Sequence, residues 1–185
     1  MATTLIYGGS GGIGQAIAKR LHQQGQQVHL VGRNAEKLAA FASTIHASYT
    51  CGDVTNADLF AQATADAGEQ LTGLVYAVGS INLKPLRRLT VEDFQHDFAI
   101  NSMGAALAAQ AAFPILKKNG SAAVVFFSSI ASQQGFSNHA SISMAKAAVN
   151  GLTVALAAEF APHIRVNAIA PSLTNTPLAA SLTNS

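Results

Sequence analysis

The sequence predicts an α/β domain built on one doubly wound parallel sheet of at least six strands, with helices on both faces. Three observations carry this expectation. Six short apolar runs alternate with segments of helical periodicity along the chain. The run at 122–127 is a continuous apolar stretch ending in β-branched and aromatic residues, as in a central strand covered on both faces. All six runs lead into helices or loops of α/β type, which makes right-handed crossovers the economical topology.

In chain order, residues 5–7 (Leu-Ile-Tyr) form the first strand, which breaks into Gly8-Gly9-Ser10-Gly11-Gly12-Ile13-Gly14. Behind these glycines Ile13, Ile17 and Leu21 recur at helical spacing. A helix beginning in such a loop aims unpaired N–H groups and its positive dipole end at whatever lies over the glycines, which suits a pyrophosphate. Strand, glycine turn and helix at the head of an alternating chain form the context a dinucleotide motif requires. The plainer alternative is a glycine-rich turn that packs a helix on a strand.

Gly25 is placed to stop the first helix. Residues 26–31 form strand two, ending in Gly32-Arg33-Asn34, and 35–45 form a helix with Leu38, Phe41, Ala42 and Ile45 on one face. At this strand end an acidic side chain would hold free ribose hydroxyls, whereas an arginine accommodates a 2′-phosphate. Arg33 stands there and Glu36 is already in the helix. The expected cofactor is therefore NADP(H) in preference to NAD(H), with Lys37 as a helper.

Residues 47–51 form strand three, which runs into Gly52-Asp53-Val54, and Thr55 is expected to cap a helix through 67. Strand four spans 74–78 and ends at Gly79-Ser80. After an irregular stretch around Pro85, Thr90 with Asp93 three residues on predicts a capping box for a long helix. Phe94, Phe98 and Ile100 begin its apolar side, polar Asn101 interrupts it, and alanine-rich residues 105–113 continue it. Strand five, 122–127, ends in Ser128-Ser129. A helix from about 139 to 161 and a sixth strand at 164–170 precede Pro171.

Composition bounds the rest. With 185 residues, 49% hydrophobic and 11% charged, the whole of 1–185 is expected to be one globular domain. The net charge of +2 is scattered without a basic run, which argues against a nucleic-acid partner. Cys51 is the only cysteine, so no internal disulfide forms; no metal-type Cys/His cluster is present, and no secretory leader is read at the N-terminus. A cytoplasmic protein is the expectation. The apolar stretches 103–116 and 147–158 are interrupted by Gln110 and Asn150 and read as too short for a membrane span.

Together these residues resemble the short-chain dehydrogenase/reductase family, whose fold is a Rossmann-type sheet. Gly8, Gly12 and Gly14 fall on its Thr-Gly-x-x-x-Gly-x-Gly pattern, with Tyr7 in place of threonine. Asp53-Val54 matches the pair that contacts adenine, and Gly79 the last residue of Asn-Asn-Ala-Gly, otherwise replaced by Tyr76-Ala77-Val78. Asn101 matches the helical asparagine, Ser129 the serine after strand five, and Lys146 the ribose-binding lysine. Arg165-Val166-Asn167-Ala168-Ile169-Ala170-Pro171 with Thr176 is similar to the family's Arg-Val-Asn-x-Ile-x-Pro-Gly-x-x-x-Thr.

The resemblance implies that Gly8, Ser10, Gly12, Ile13, Gly14, Arg33, Asp53, Val54, Gly79, Lys146, Pro171 and Thr176 hold the cofactor. It implies Asn101, Ser129 and Lys146 in the chemistry on a small-molecule substrate. The family's proton donor is a tyrosine four residues before the lysine, where this chain has Ile142; the thirteen-residue interval from Ser129 lands on the same position. Enoyl reductases of the superfamily place their tyrosine seven residues before the lysine, and His139 stands there. His139 is thus a candidate acid, since histidine titrates near neutrality.

The implied activity is hydride transfer between NADP(H) and a carbonyl/alcohol or activated enoyl substrate. The alternative is an NADP(H)-binding regulatory or interaction protein without turnover. The family usually continues beyond the Thr176 region, so the C-terminal part is read as short or missing. The apolar, small-residue surfaces near 103–113 and 147–158 suit the homodimer or homotetramer that the resemblance implies, and burial against the sheet accounts for many of the same residues.

Overall fold

Parallel pairing joins six strands in the order β3-β2-β1-β4-β5-β6. The structure is a computed structural model and describes residues 2–180. The strands are β1 (Thr3–Tyr7), β2 (Gln27–Gly32), β3 (Ser48–Cys51), β4 (Leu71–Tyr76), β5 (Ala122–Phe127) and β6 (Ile164–Ile169). The helices are α1 (Gly12–Gln23), α2 (Ala35–Thr44), α3 (Asp58–Ala67), α4 (Val91–Phe98), α5 (Gly104–Asn119) and α6 (Ala140–Phe160).

Alternation along β1 explains the two layers. Ile6 points into one cluster with Leu30, Ala18 of α1 and Leu38, Phe41 and Ala42 of α2. Leu5 and Tyr7 point the other way, into a larger cluster with Phe60 of α3, Leu116 of α5 and Val149 of α6. Burial on both faces is what confines the sheet to parallel, crossover-linked strands. The strand order reverses between β1 and β4, and a crevice opens there beyond the carboxyl ends of the strands.

Several local expectations are corrected. β4 starts at Leu71 rather than 74, because Leu71 and Gly73 already pair with β1. Thr55 does not cap α3: its N–H and hydroxyl both donate to Asp53 Oδ1 (2.9 and 2.8 Å), and the N–H of Asp58 is met instead by Asn56 Oδ1 at 3.1 Å. The Thr90/Asp93 capping box forms as expected.

The long helix is interrupted. Residues Ala99–Met103 make a π-helical turn between α4 and α5, and α5 continues through Pro114 to Asn119. The helical stretch Val91–Asn119 and α6, 29 and 21 residues, are by length and composition sufficient to cross a membrane, unlike the shorter apolar stretches read from sequence. Here α5 packs along β4 and β5, and α6 along β6.

Candidate active site

All but one of the expected cofactor contacts lie at or just beyond the carboxyl end of a strand, or on the helix that follows it; Thr176 lies farther along the segment after β6. Gly8 follows β1, Arg33 follows β2, Asp53 and Val54 follow β3, Gly79 follows β4, Ser129 follows β5 and Pro171 follows β6. Gly8 adopts φ +80°, and its N–H and that of Gly9 donate to the Val31 carbonyl (both 2.9 Å), turning the chain back over β2. A Cβ on Gly14 would collide with the Gly8 carbonyl, and one on Gly12 would come within 2.9 Å of the Thr176 methyl. No side chain caps α1 at Gly11, which leaves the first-turn N–H groups for a ligand.

Thr176 therefore brings the segment after β6 against the glycine loop. Between them lies a cavity of about 290 Å³, whose wall includes Ile13, Gly79, Ser80, Ser129, His139, Ile142, Lys146, Pro171 and Thr176. Gly8, Ser10, Gly12 and Gly14 are not part of that wall, and Arg33, Asp53 and Val54 stand farther along the sheet edge, with Arg33 and Asp53 exposed. The Asp53 carboxyl is held below the usual carboxylate range, first by the Thr55 N–H and hydroxyl and further by the nearby Arg33 and His96 charges.

Lys146 is 7% exposed, and its Nζ donates to the Phe127 carbonyl at 2.7 Å. Burial pushes its pKa down to about 8. α6 is fixed in place by two hydroxyls: Ser128 Oγ donates to the Lys146 carbonyl (3.1 Å) and Ser102 Oγ to the Ala145 carbonyl (2.7 Å). Ile142, one turn before Lys146, is buried and faces the same cavity. Ser141, by contrast, is buried toward the Asp93 carbonyl.

Ser129 Oγ accepts from the Ala131 N–H at 3.1 Å, so its own proton is left to donate. His139 precedes α6; its Nδ1 lies 2.7 Å from the Ser137 carbonyl and its ring 5.4 Å from that of Phe136. Asn101 sits in the π-helical turn, where Nδ2 donates to the Asp97 carbonyl (2.8 Å) and to Ser80 Oγ (2.9 Å). Its Oδ1 is buried without a partner, and a Cβ on Gly79 would lie 3.3 Å from that oxygen and 3.5 Å from Lys146 Nζ. Gly79 thus leaves room where the asparagine and lysine converge.

Two residues of this network escaped the sequence reading. Ser80 Oγ donates to Asp97 Oδ1 at 2.6 Å, and Asp97 is wholly buried. Their signal was an acidic residue four positions before Asn101, on the same helical face. Among the described residues no group of three or more His, Cys, Asp or Glu side chains converges as a metal site would require.

Residues 2–185 match the family model described as short chain dehydrogenase. A sorbose reductase of Schizosaccharomyces pombe is 37% identical over 194 residues, covering 95% of this chain and 74% of that protein. Among solved structures, a short-chain type dehydrogenase/reductase from Mycobacterium ulcerans aligns with a TM-score of 0.94 at 30% identity, over 100% of this chain and 72% of that one. An actinorhodin polyketide ketoreductase variant, solved with NADPH, aligns with a TM-score of 0.93 at 26% identity, over 99% and 74%.

Proposed function

The chain belongs to the short-chain dehydrogenase/reductase family of oxidoreductases, and from that premise we propose that it binds NADP(H) and transfers hydride to or from a carbonyl/alcohol or activated enoyl substrate. The observation that carries this is the convergence of Ser129, Lys146, Gly79 and Ile13, in the first turn of α1, on one cavity at the strand-order reversal.

The residues present fit such a cofactor. The uncapped start of α1, pressed close by the absence of side chains at Gly8, Gly12 and Gly14, suits the diphosphate, with Ser10 and Ile13 beside it. Arg33 would offer a guanidinium to the 2′-phosphate, while Asp53 and Val54 would hold the adenine. Lys146 and the unpartnered Asn101 Oδ1 would offer polar atoms to a ribose, and Pro171 and Thr176 would line the same cavity. The relative solved with NADPH supports the phosphorylated coenzyme. When bound, the nicotinamide supplies or accepts the hydride.

Within this reading Ser129 donates its free proton to the substrate oxygen and polarises it. Lys146 places a cationic group beside the ribose. Ile142 stands where the family's tyrosine would donate, so the proton comes from elsewhere, and His139 at the cavity wall is the histidine to test.

A second reading, cofactor binding without turnover, is favoured by Ile142. Titrating NADPH by fluorescence and following its oxidation with a carbonyl and enoyl-thioester panel separates the two. Binding with consumption supports the enzyme; binding without consumption beyond buffer supports the regulator. We further propose a homodimer or homotetramer in the cytoplasm: Val154 and Met144 of α6 and Met103 before α5 are exposed apolar side chains on the helices such an assembly would use.

A further inference from the structure

Asp97 is the only acidic side chain among the described residues with no exposed surface. Oδ1 accepts from Ser80, Oδ2 has no partner, and the ion pairs among the described residues, Lys84–Asp93 and Lys118–Glu69, do not include it. A buried carboxylate without a counter-charge is costly to keep.

Ser80 Oγ accepts from Asn101 Nδ2 at 2.9 Å, so its own proton is directed at Asp97 Oδ1, 2.6 Å away. One lone pair of the hydroxyl remains. Ser80 lines the cavity shared by Ser129, Ile142 and Lys146. That lone pair matches the O–H of an alcohol, while the proton left on Ser129 matches a lone pair of the same oxygen. Both serines thus face one cavity, Ser80 with an acceptor lone pair and Ser129 with a donor proton.

We propose that Ser80 is the acid–base residue of this site and that Asp97, acting through it, is the positioning residue that takes its proton, so that the preferred couple is an alcohol and its carbonyl. The inference rests on the oxidoreductase reading. In the oxidising direction the alcohol O–H bond breaks and its proton passes to Ser80 Oγ, whose own proton passes to Asp97 Oδ1. The substrate C–H bond breaks with its electron pair, which leaves as hydride to the oxidised nicotinamide. The alcohol is oxidised to a carbonyl, the nicotinamide is reduced, and Asp97 becomes neutral. After product leaves, that proton returns through Ser80 to water in the open cavity. Reduction is the reverse path.

The test uses the full chain with Ser80→Ala, Asp97→Asn, the double variant and His139→Ala. Oxidation of propan-2-ol, cyclohexanol and a four-carbon polyol is followed with NADP+, alongside NADPH affinity by fluorescence and melting temperature. Ser80→Ala and Asp97→Asn are each expected to lower kcat by about a hundredfold while NADPH affinity stays within about twofold. The double variant falls no further than either single one, because the pair acts as a unit. Asp97→Asn melts at or above wild type, since it replaces a buried side chain that has no cationic partner. Ser80→Ala turnover within about threefold of wild type, or a hundredfold loss in His139→Ala alone, overturns the assignment. So does an Asp97→Asn protein that melts lower and binds NADPH more weakly, which marks the residue as structural. If wild type binds NADPH but converts no alcohol, this inference fails while cofactor binding stands; if it binds neither coenzyme, the underlying reading fails.

Discussion

Lys146 illustrates how one side chain can be costly to the fold and useful to the site. Burial favours its neutral form and lowers its pKa to about 8, against an ordinary value of 10.5. Between those values the unfolded chain binds more protons than the folded one, so stability rises as pH climbs from 8 to 10.5. Below pH 8 the folded state carries the full penalty of a buried cation, about 3 kcal/mol. Lys146→Met is therefore expected to raise the melting temperature at pH 7, with the gain shrinking toward pH 10.5, as checked by thermal denaturation across pH. NADPH affinity of the wild type should weaken above pH 8, where the ammonium is lost. At the far end of the site, Arg33→Ala should weaken NADPH by about 2 kcal/mol, roughly thirtyfold, and leave NADH nearly unchanged. Gly8, Lys146 and Asn101 were legible in the sequence because each belongs to a fixed local pattern. Ser80 and Asp97 were not: they lie seventeen positions apart and meet only when the end of β4 is packed beside α4.

The elements show where local rules are overridden by packing. Tyr76 is the last residue of β4 and opens the altered glycine-terminated motif, and its hydroxyl donates at 2.6 Å to the carbonyl of Ile100 in the π-helical turn. A Cβ on Gly104 would collide with that same hydroxyl. Tyrosine and glycine are thus matched across two elements, and together they hold the turn that presents Asn101. Gly104→Ala should cost about 2 kcal/mol by overpacking, and Tyr76→Phe about 1–2 kcal/mol by leaving a buried carbonyl unpaired. The double variant should lose less than the sum, because removing the hydroxyl frees space for the new methyl; denaturant titration of all three proteins checks this. Helical periodicity runs straight through such a turn, so sequence alone gave one continuous helix. The start of α3 was misread for a related reason: Asp53 claims Thr55 before the helix can use it. Strands β1, β2, β5 and β6 were legible within a residue or two because their apolar runs are bounded by glycine, polar residues or proline.

For the molecule as a whole, the order β3-β2-β1-β4-β5-β6 sets the location of the chemistry. Reversal between β1 and β4 places the glycine loop, Gly79 and the end of β5 around one opening, and the exposed ends of β2 and β3 extend it toward Arg33 and Asp53. A ligand that occupies this edge binds only the folded chain. At a hundred times its dissociation constant NADPH should add about 2.7 kcal/mol of stability. For a chain of this size that is a melting shift of roughly 5–10 °C, which NADH at the same concentration should not match. The fold class and the position of the cleft were readable from alternation and glycine placement; the contents of the cleft wall depended on contacts across elements. Calorimetric titration of the full chain with NADPH and with NADH decides whether a phosphorylated coenzyme occupies this sheet edge. NADPH is expected to bind at least about tenfold tighter than NADH. Absence of binding heat from both coenzymes, or tighter binding of NADH, would contradict it.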